Sequence, residues 1–365
     1  MPIGLMDIKG QIADVRDEVE AAVLAVVRSG QFILGPNVKA FESEVTEYLS
    51  TYGSVGVANG TDGLTIALKA AGVGEGDEVI TTPFTFYATA EAIVQAGARP
   101  VFVDIDPETL NIDPGAIAGA VTAMTKAVVP VDLFGLPADA DAVSAAASEH
   151  GLVVVEDACQ AFGASYKGRR AGGLGDLAVF SFFPTKNLGG YGDGGLVTGR
   201  IAEAVEMARM LRFHGSRDKV DFDYVGYNSR LDEIQAAVLR VGLTRVDGWN
   251  AHRAQVAAWY DELLPAAVRR PAVPDGSTHV YHLYVARLAE RDTAAKALKE
   301  AGVACAAYYT TPLHLQPALS FLGHRQGDFP ATEEAARTNL ALPMHPHLSQ
   351  EQAAEVAGAL AGVLA

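Results

Sequence analysis

Short apolar runs recur along the first two thirds of the chain and alternate with segments whose apolar residues have helical spacing. The runs predict strands at 54–58, 78–82, 100–104, 126–131, 152–156, 178–182 and 195–198. Segments 61–71 and 139–149 predict helices between them. Strands that alternate with helices are typical of a layered α/β domain. We therefore expect a mostly parallel, mixed sheet of seven strands, flanked by helices.

The pattern changes after residue 230, where a long helical stretch is predicted from Leu231 to about Leu264. Pro271 and Pro274 then mark a linker. Beyond it, predicted strands at 281–287, 302–306 and 340–343 lie among predicted helices at 291–301 and 349–364. This arrangement predicts a large α/β domain at residues 1–247 and a smaller C-terminal α+β domain at 248–365.

Composition narrows the class of protein. The formal net charge of −16 argues against binding to a nucleic-acid backbone or to an anionic membrane surface. No apolar stretch approaches the roughly 20 residues of a membrane span, and the N-terminus lacks the apolar run of a signal peptide. Cys159 and Cys305 have no CxxC spacing, which fits a reducing compartment. We expect a cytoplasmic protein.

The segment LVVVEDACQAFGA contains the first candidate site. An apolar strand ends at Asp157, and Gln160 follows it closely. Ligands bind at the carboxyl ends of such strands. A carboxylate there can keep a pyridinium nitrogen protonated while Gln160 meets the ring hydroxyl. The alternative for Asp157 alone is a helix N-cap.

The segment AVFSFFPTKNLGGYGDGG contains the second candidate site. Its strand ends near Ser181, and Lys186 lies in the glycine-rich turn that follows. A partly desolvated lysine is more easily deprotonated and can act as a nucleophile and then as a proton shuttle. Ser181 can donate to a phosphate. The alternative for Lys186 is an ordinary surface lysine on a loop.

The segment from Ala58 to Gly63 joins a predicted strand to a predicted helix and has the outline of a phosphate site. Gly60 permits close approach of the backbone, and Thr61 and Asp62 lie beside the first free amides. A glycine turn capped by Thr61 or Asp62 is the alternative. One of the aromatic residues of the next loop, Phe84, Phe86 or Tyr87, can stack on a flat ring.

The histidines give no metal signature. His279 and His282 form one close pair and His345 and His347 another, but neither pair has a third ligand nearby in sequence. We therefore expect no catalytic metal.

The motifs taken together resemble those of one family. They are GQFILGPNVKAFE, NGTDGLTIAL, TTPFTFYATAEAI, PVFVDID, VEDACQAFGA, FSFFPTKNLGGYGDGG, GYNSRLDEIQAAVL and TPLHLQP. In this order they resemble the DegT/DnrJ/StrS-type nucleotide-sugar aminotransferases. That resemblance implies the aspartate-aminotransferase fold, which is fold type I of the pyridoxal-5'-phosphate (PLP) enzymes.

The resemblance also implies the roles of individual residues. Lys186 matches the lysine that holds PLP as an internal aldimine, and Asp157 matches the partner of the pyridine nitrogen. The remaining cofactor contacts implied are Gly60, Thr61, Asp62, Phe86, Gln160 and Ser181. Asn228 matches an asparagine that reaches the cofactor phosphate of a neighbouring subunit, so a homodimer with shared active sites is implied.

Substrate contacts are weighed against simpler interpretations. Arg230 and the cluster of Arg212, His214 and Arg217 are local cationic candidates for a donor carboxylate or for sugar-nucleotide phosphates. The alternative is a solvated basic patch. Tyr309 and His314 match the segment that lies near the sugar in the family, although His314 also fits a simple loop histidine.

The expected reaction is a ping-pong transamination that passes through pyridoxamine 5'-phosphate. The resemblance implies glutamate as donor and a nucleotide-linked keto-sugar as acceptor, with the ketone at C3, in the biosynthesis of deoxyamino sugars. The alternatives are a 4-keto-sugar aminotransferase, a sugar dehydratase of the same fold, which Lys186 disfavours, and a PLP-binding regulator without turnover.

Overall fold

The computed structural model describes residues 2–364, without the side chains of residues 363 and 364. Within that range the α-helices are Ile8–Ser29 (α1), Pro36–Leu49 (α2), Gly60–Ala70 (α3), Tyr87–Gln95 (α4), Ile117–Ala120 (α5), Ala140–Ser148 (α6), Ala202–Leu211 (α7), Glu233–Leu243 (α8), Val246–Leu263 (α9), Arg291–Glu300 (α10), Pro330–Thr338 (α11) and Gln350–Leu364 (α12). The strands are Gly53–Val57 (β1), Glu78–Thr81 (β2), Arg99–Phe102 (β3), Thr125–Val128 (β4), Val153–Asp157 (β5), Ser165–Tyr166 (β6), Arg169–Arg170 (β7), Leu177–Ser181 (β8), Gly195–Gly199 (β9), Ser277–Thr278 (β10), Tyr284–Arg287 (β11) and Asn339–Leu342 (β12).

The seven strands predicted in the first two thirds of the chain form one sheet in the order β1-β9-β8-β5-β4-β2-β3. The strand pairs from β8 through β5, β4 and β2 to β3 are parallel, and β9 runs antiparallel to both β1 and β8. The prediction of a mostly parallel, mixed α/β sheet flanked by helices is therefore confirmed.

Both faces of this sheet are covered. On β8, Val179 joins one hydrophobic core with residues of α3 and α7, whereas its neighbour Phe180 joins another core with residues of α2 and α8. Val197 and Leu196 of β9 divide in the same way. Because successive side chains point to opposite faces, a strand buried on both sides must be apolar throughout. This burial explains the unbroken apolar runs in the sequence.

The long helix predicted from Leu231 to Leu264 is two helices, α8 and α9, so that prediction was wrong in one respect. The amides of Thr244 and Arg245 bond the carbonyls of Val241 and Gly242, three residues back, and the Thr244 hydroxyl also bonds the Val241 carbonyl. This tighter pattern is typical of a terminating helical turn. The hydrophobic pattern continues across the break and does not reveal it.

The C-terminal region has its own core. Tyr284 and Ala286 of β11 pack with Leu340 and Leu342 of β12 and with residues of α9, α10 and α12. The strand predicted from residue 281 begins at Tyr284, because Tyr281 has a left-handed φ of 43° that an extended strand cannot contain.

The strand predicted at 302–306 was wrong. Val303 and Ala306 make isolated bridges to Ile3 and Ala341, on two different partners, so no ladder forms. None of the helices in the described chain combines the length and the hydropathy needed to cross a membrane.

Candidate active site

The two candidate segments meet at one edge of the central sheet. Strands β5 and β8 are parallel neighbours, and Asp157 is in register with Val179. Their carboxyl ends therefore reach the same edge, where β5 ends at Asp157 and β8 ends at Ser181. Lys186 lies in the turn after β8, and its backbone amide bonds the Phe183 carbonyl at 2.8 Å. We call the group of Asp157, Ser181 and Lys186 the catalytic corner.

Lys186 has the electrostatic setting that nucleophilic chemistry requires. Its side chain is partly buried, and burial lowers the pKa of the amine below its ordinary value. The nearby Cys159 and Asp157 oppose this shift. Because desolvation prevails, a larger share of the amine is neutral and able to attack a carbonyl than in a solvent-exposed lysine.

The Asp157 carboxylate is held in a fixed orientation. The residue is 5% exposed, and its Oδ2 accepts a hydrogen bond from the Thr89 hydroxyl at 2.8 Å. Its Oδ1 accepts a longer bond from the Cys159 amide at 3.3 Å. Sequence reasoning missed Thr89 because a threonine in a helix after an aromatic loop carries no pattern of its own.

A second buried carboxyl group lies behind Asp157. The backbone amide of Asp132 bonds the Asp157 carbonyl at 3.0 Å. Burial and the neighbouring Glu156 carboxylate raise the pKa of Asp132 well above its ordinary value. Burial thus favours the neutral form of Asp132, which adds no negative charge beside Asp157.

Gln160 connects the corner to a distant segment of the chain. Its Oε1 accepts from the Phe134 amide at 2.8 Å, and its Nε2 donates to the Tyr309 hydroxyl at 3.0 Å. The rings of Phe134 and Tyr309 stack with centroids 5.9 Å apart. Tyr309 therefore joins the site through Gln160, and Gln160 keeps a second amide proton for a ligand.

The amino end of α3 packs directly against the corner. A Cβ atom on Gly60 would lie 2.9 Å from the Ser181 Cβ and 3.1 Å from the Cys159 Sγ, so a larger residue would displace the helix. The N-cap is Asn59, whose Oδ1 accepts from the Asp62 amide at 2.8 Å, and neither Thr61 nor Asp62 has that role. A helix amino end in this position attracts anions.

The structure distinguishes the three aromatic residues that the sequence left open. Phe84 is completely buried and packs edge-to-face on Tyr309 at 5.7 Å. Tyr87 packs partly against a hydrophobic cluster, whereas Phe86 is 59% exposed. Phe86 is therefore the aromatic residue with a ring face free for a ligand.

Arg212 is engaged within the protein. Its side chain is buried, and its guanidinium donates to Glu42 at 2.5 Å and to the Gly56 carbonyl at 2.7 Å. Glu42 also accepts from Arg209 at 2.9 Å and from the Gly56 amide at 2.8 Å. Arg212 is therefore committed to a buried ion pair with Glu42, and its Nε has no partner among the described residues. The expectation that Arg212 contacts substrate stays a prediction.

The other cationic candidates differ from Arg212. His214 is exposed and has a left-handed φ of 63°, and Arg217 is exposed as well. The Ser229 hydroxyl accepts from the Ala58 amide at 3.0 Å, which places the exposed Asn228 and the partly buried Arg230 beside the strand-to-helix turn that precedes α3. Arg230 thus lies nearer to the expected phosphate site than sequence spacing alone indicates.

His314 has a structural setting. Its side chain is inaccessible to solvent, and its Nε2 lies 3.1 Å from Oε1 of Glu333. Its ring packs on Phe329 with centroids 4.8 Å apart. His314 thus connects the turn at Leu313–Leu315 to helix α11, and its contact with substrate stays a prediction.

Comparison with known proteins agrees with this geometry. A "pleiotropic regulatory protein" of Geobacillus stearothermophilus is 49% identical to this chain, over 96% of each sequence. A "UDP-N-acetyl-3-dehydro-alpha-D-glucosamine 3-aminotransferase" of Acidithiobacillus ferrooxidans is 43% identical, over 97% of this chain and 96% of its own. Full-length similarity of this kind covers every element of the site.

A solved structure is also similar over the whole chain. DesV of Streptomyces venezuelae, in complex with a ketimine intermediate, superposes with a TM-score of 0.96 at 41% identity, covering 98% of this chain and 97% of its own. The model of the DegT/DnrJ/EryC1/StrS aminotransferase family matches residues 13–361. This chain belongs to the DegT/DnrJ/EryC1/StrS aminotransferase family and has the PLP-dependent transferase fold of that family.

Proposed function

We propose that this protein is a PLP-dependent aminotransferase that moves an amino group from glutamate to the ketone of a nucleotide-linked sugar. The observation that carries the proposal is the meeting of Lys186 and Asp157 at one sheet edge. The amine is desolvated and can attack the aldehyde of PLP. The carboxylate, which Thr89 holds in place, can pair with the pyridine nitrogen.

The residues of the catalytic corner fit PLP. Lys186 offers an amine for the aldehyde, and Asp157 offers a carboxylate for the ring nitrogen. The amino end of α3, with Gly60 beside Ser181, fits a phosphate. When bound, PLP supplies an electron sink for the negative charge that develops at the α-carbon of an amino acid.

Each residue then has a definite task. Asp157 keeps the ring nitrogen protonated, with Thr89 holding the carboxylate in place. Lys186 would anchor the cofactor, and its side-chain amine, once displaced by the donor, would move the proton from the donor α-carbon. Gln160 and Ser181 would hold the ring oxygen and the phosphate, and Phe86 would stack on the ring. Gly60 and Thr61 would present backbone donors, whereas the Asp62 amide is already bonded to Asn59. The proposal includes a ping-pong sequence, in which the 2-keto acid leaves before the keto-sugar binds.

The proposal includes a homodimer with shared active sites. Phe183 and Tyr191, which flank Lys186 in sequence, are 50% and 42% exposed, and Val225 beside the Asn228 segment is 98% exposed. Apolar exposure of this extent on both sides of a site favours coverage by a second subunit. Asn228 is exposed and therefore able to reach a partner's phosphate site.

The acceptor ketone is proposed to be at C3. The Acidithiobacillus relative is named for amino transfer at C3 of a UDP-sugar, and the sequence motifs favour the same position. Arg230, His214 and Tyr309 are the proposed substrate contacts that are not engaged in an ion pair in the part of the chain that the structure describes, and contacts by Arg212 and His314 stay predictions. The regulator alternative retains one specific support, since the Geobacillus relative is named as a regulatory protein.

A panel of UDP- and dTDP-linked 3-keto and 4-keto sugars tests this proposal. The purified holoenzyme is assayed for release of 2-oxoglutarate from glutamate, first without acceptor and then with each sugar. We expect a half-reaction with glutamate alone and repeated turnover only with 3-keto sugars. Turnover confined to 4-keto sugars contradicts the C3 assignment. Bound cofactor with no half-reaction from glutamate or any other amino acid favours the regulator.

A further inference from the structure

Among the residues that the structure describes, one group of three potential metal ligands lies away from the catalytic corner. Asp7, His345 and His347 each place a donor atom within 4.8 Å of the other two. Asp7 is the N-cap of α1, whereas both histidines follow strand β12. The group therefore joins the two ends of the chain, which explains why sequence spacing found no third ligand for the histidine pair.

Two of the three residues have a donor atom that the fold leaves unused. The Asp7 Oδ1 accepts from the Gly10 amide at 2.9 Å and caps α1, so its Oδ2 is available. The Nδ1 of His347 is buried and has no hydrogen-bond partner in the described chain. An unpartnered buried nitrogen is costly, because it has lost water without gaining another contact.

Gly10 keeps the space between these two atoms open. A Cβ atom at this position would collide with the Asp7 Oδ2 and would lie 2.8 Å from the His347 Nδ1. The two donor atoms thus border the same small volume, and the absence of a side chain on Gly10 prevents that volume from being filled.

The outer contacts of His347 match those of a ligating histidine. Its Nε2 lies 2.9 Å from Oδ2 of Asp14, which also accepts from the Trp249 indole at 2.9 Å. With its proton on Nε2, the ring donates to Asp14 and directs the Nδ1 lone pair into the open volume. A carboxylate on the remote nitrogen is the usual arrangement around metal-bound histidine, since it fixes both the tautomer and the ring orientation.

His345 completes the set. It is 5% exposed, and its Nδ1 accepts a long 3.3 Å hydrogen bond from the His347 amide. That contact places the proton of a neutral ring on Nε2 and leaves Nδ1 as the lone-pair nitrogen. In this tautomer Nδ1 carries the lone pair that a metal ion requires.

We propose that Asp7, His345 and His347 bind a first-row divalent cation of the Zn²⁺ class and so fasten the amino end of α1 to the segment after β12. Two imidazoles and one carboxylate suit zinc and its neighbours, whereas Mg²⁺ and Ca²⁺ take oxygen ligands. Among the described residues, no hydrogen bond connects Asp7, His345 or His347 with Asp157, Ser181 or Lys186, so we assign the site a structural role.

Calorimetric titration of the metal-stripped holoenzyme with Zn²⁺ tests the site. We expect one saturable site in the wild type, with affinity at least tenfold lower in the Asp7→Asn, His345→Gln and His347→Gln variants. Asparagine is also a good N-cap residue, so helix α1 stays capped in Asp7→Asn. Weaker zinc binding by this variant therefore does not indicate unfolding. Asp14→Asn leaves all three ligands in place but removes the carboxylate that His347 and Trp249 share, and it is expected to weaken binding by about 10- to 100-fold.

A matched control is available in His324→Gln. The Nδ1 of His324 lies 3.5 Å from Oδ2 of Asp328 and forms a histidine–carboxylate pair on another part of the surface. This variant should bind Zn²⁺ like the wild type. Zn²⁺ should raise the melting temperature of the wild type and of this control but not of His347→Gln. Absence of a saturable site in the wild type, or equal affinity in wild type and His347→Gln, overturns the proposal.

Discussion

Two buried charge clusters in this protein use similar groups for different purposes. Around Glu42, every strong donor nearby is engaged: Arg212, Arg209 and a backbone amide all bond its carboxylate. At the catalytic corner, the Asp157 carboxylate is held by Thr89 and Cys159, but Lys186 forms no ion pair with it among the described residues. The Glu42 carboxylate is thus paired with two guanidinium groups, although the Nε of Arg212 has no partner within the described residues, whereas the Lys186 amine has no ion-pair partner there.

This comparison explains why charge in a sequence is a poor guide to binding. Arg212 lies in a basic cluster and looks like a substrate ligand, yet its hydrogen bonds are used inside the protein. Lys186 looks like a loop lysine, yet burial lowers the pKa of its amine. A buried charge with satisfied partners stabilises the fold, and one with unsatisfied capacity is available for chemistry.

The largest expected effect comes from Lys186→Ala. The loss of both nucleophile and base should lower the rate of amino transfer by at least about 10³-fold. The melting temperature should stay near that of the wild type, since no ion pair is lost. Activity is measured by 2-oxoglutarate release, and retention of PLP after borohydride reduction is measured by intact mass. Lys126→Ala, at an exposed position on β4, is the matched control. Wild-type turnover by Lys186→Ala contradicts the assignment.

The next expected effect separates Arg212 from Arg230. Arg212→Met leaves the buried Glu42 with fewer partners and should lower the free energy of unfolding by about 3 kcal/mol. The Michaelis constant for glutamate should remain near the wild-type value. Arg230→Met should do the opposite, with little change in stability and a Michaelis constant for one of the substrates about 10- to 100-fold higher.

Chemical denaturation and steady-state kinetics on both variants provide these measurements. A double-mutant cycle with Glu42→Gln should show that the cost of Arg212→Met falls when its partner is already neutral. If Arg212→Met has the wild-type free energy of unfolding but a higher Michaelis constant for glutamate, Arg212 is a substrate contact and the distinction between the two clusters is wrong.

The smallest expected effect concerns the link from Gln160 to Tyr309. Tyr309→Phe removes the hydroxyl that accepts from Gln160 at 3.0 Å but keeps the ring stacked on Phe134. The free energy of one neutral hydrogen bond corresponds to a factor of up to about ten in a rate, so the turnover number should fall by up to about tenfold. Tyr308→Phe is the control, because Tyr308 packs beside Tyr309 without bonding Gln160. Equal effects of the two variants would indicate a packing role.

Much of the fold was predictable from the sequence, because buried strands require continuous apolar runs whichever partners they find. The strands β1, β2, β5 and β8 begin and end within one residue of their predicted positions. The break between α8 and α9 was not predictable, since a single threonine turn interrupts the helix while the hydrophobic pattern continues. The domain boundary at residues 247 and 248 stays a prediction.

The candidate site was predictable where a residue with reactive chemistry lies at or just after the end of a predicted strand. Asp157 and Lys186 follow adjacent buried strands, so parallel pairing alone brings them to one edge. Thr89 and the link from Gln160 to Tyr309 depend on long-range contacts that leave no local signature. His314 and Arg212 were singled out for their chemistry, and their burial and partners became visible only in the folded chain.

The sequence by itself determined the layered α/β sheet, the family and the two residues proposed to carry amino transfer, because these follow from local hydrophobic pattern and ordered motifs. The tertiary structure decided which polar groups form hydrogen bonds and ion pairs within the protein and which remain available to a ligand. It also brought Asp7 at one end of the chain to His345 and His347 near the other. Such meetings depend on packing between distant elements, and no local periodicity encodes them.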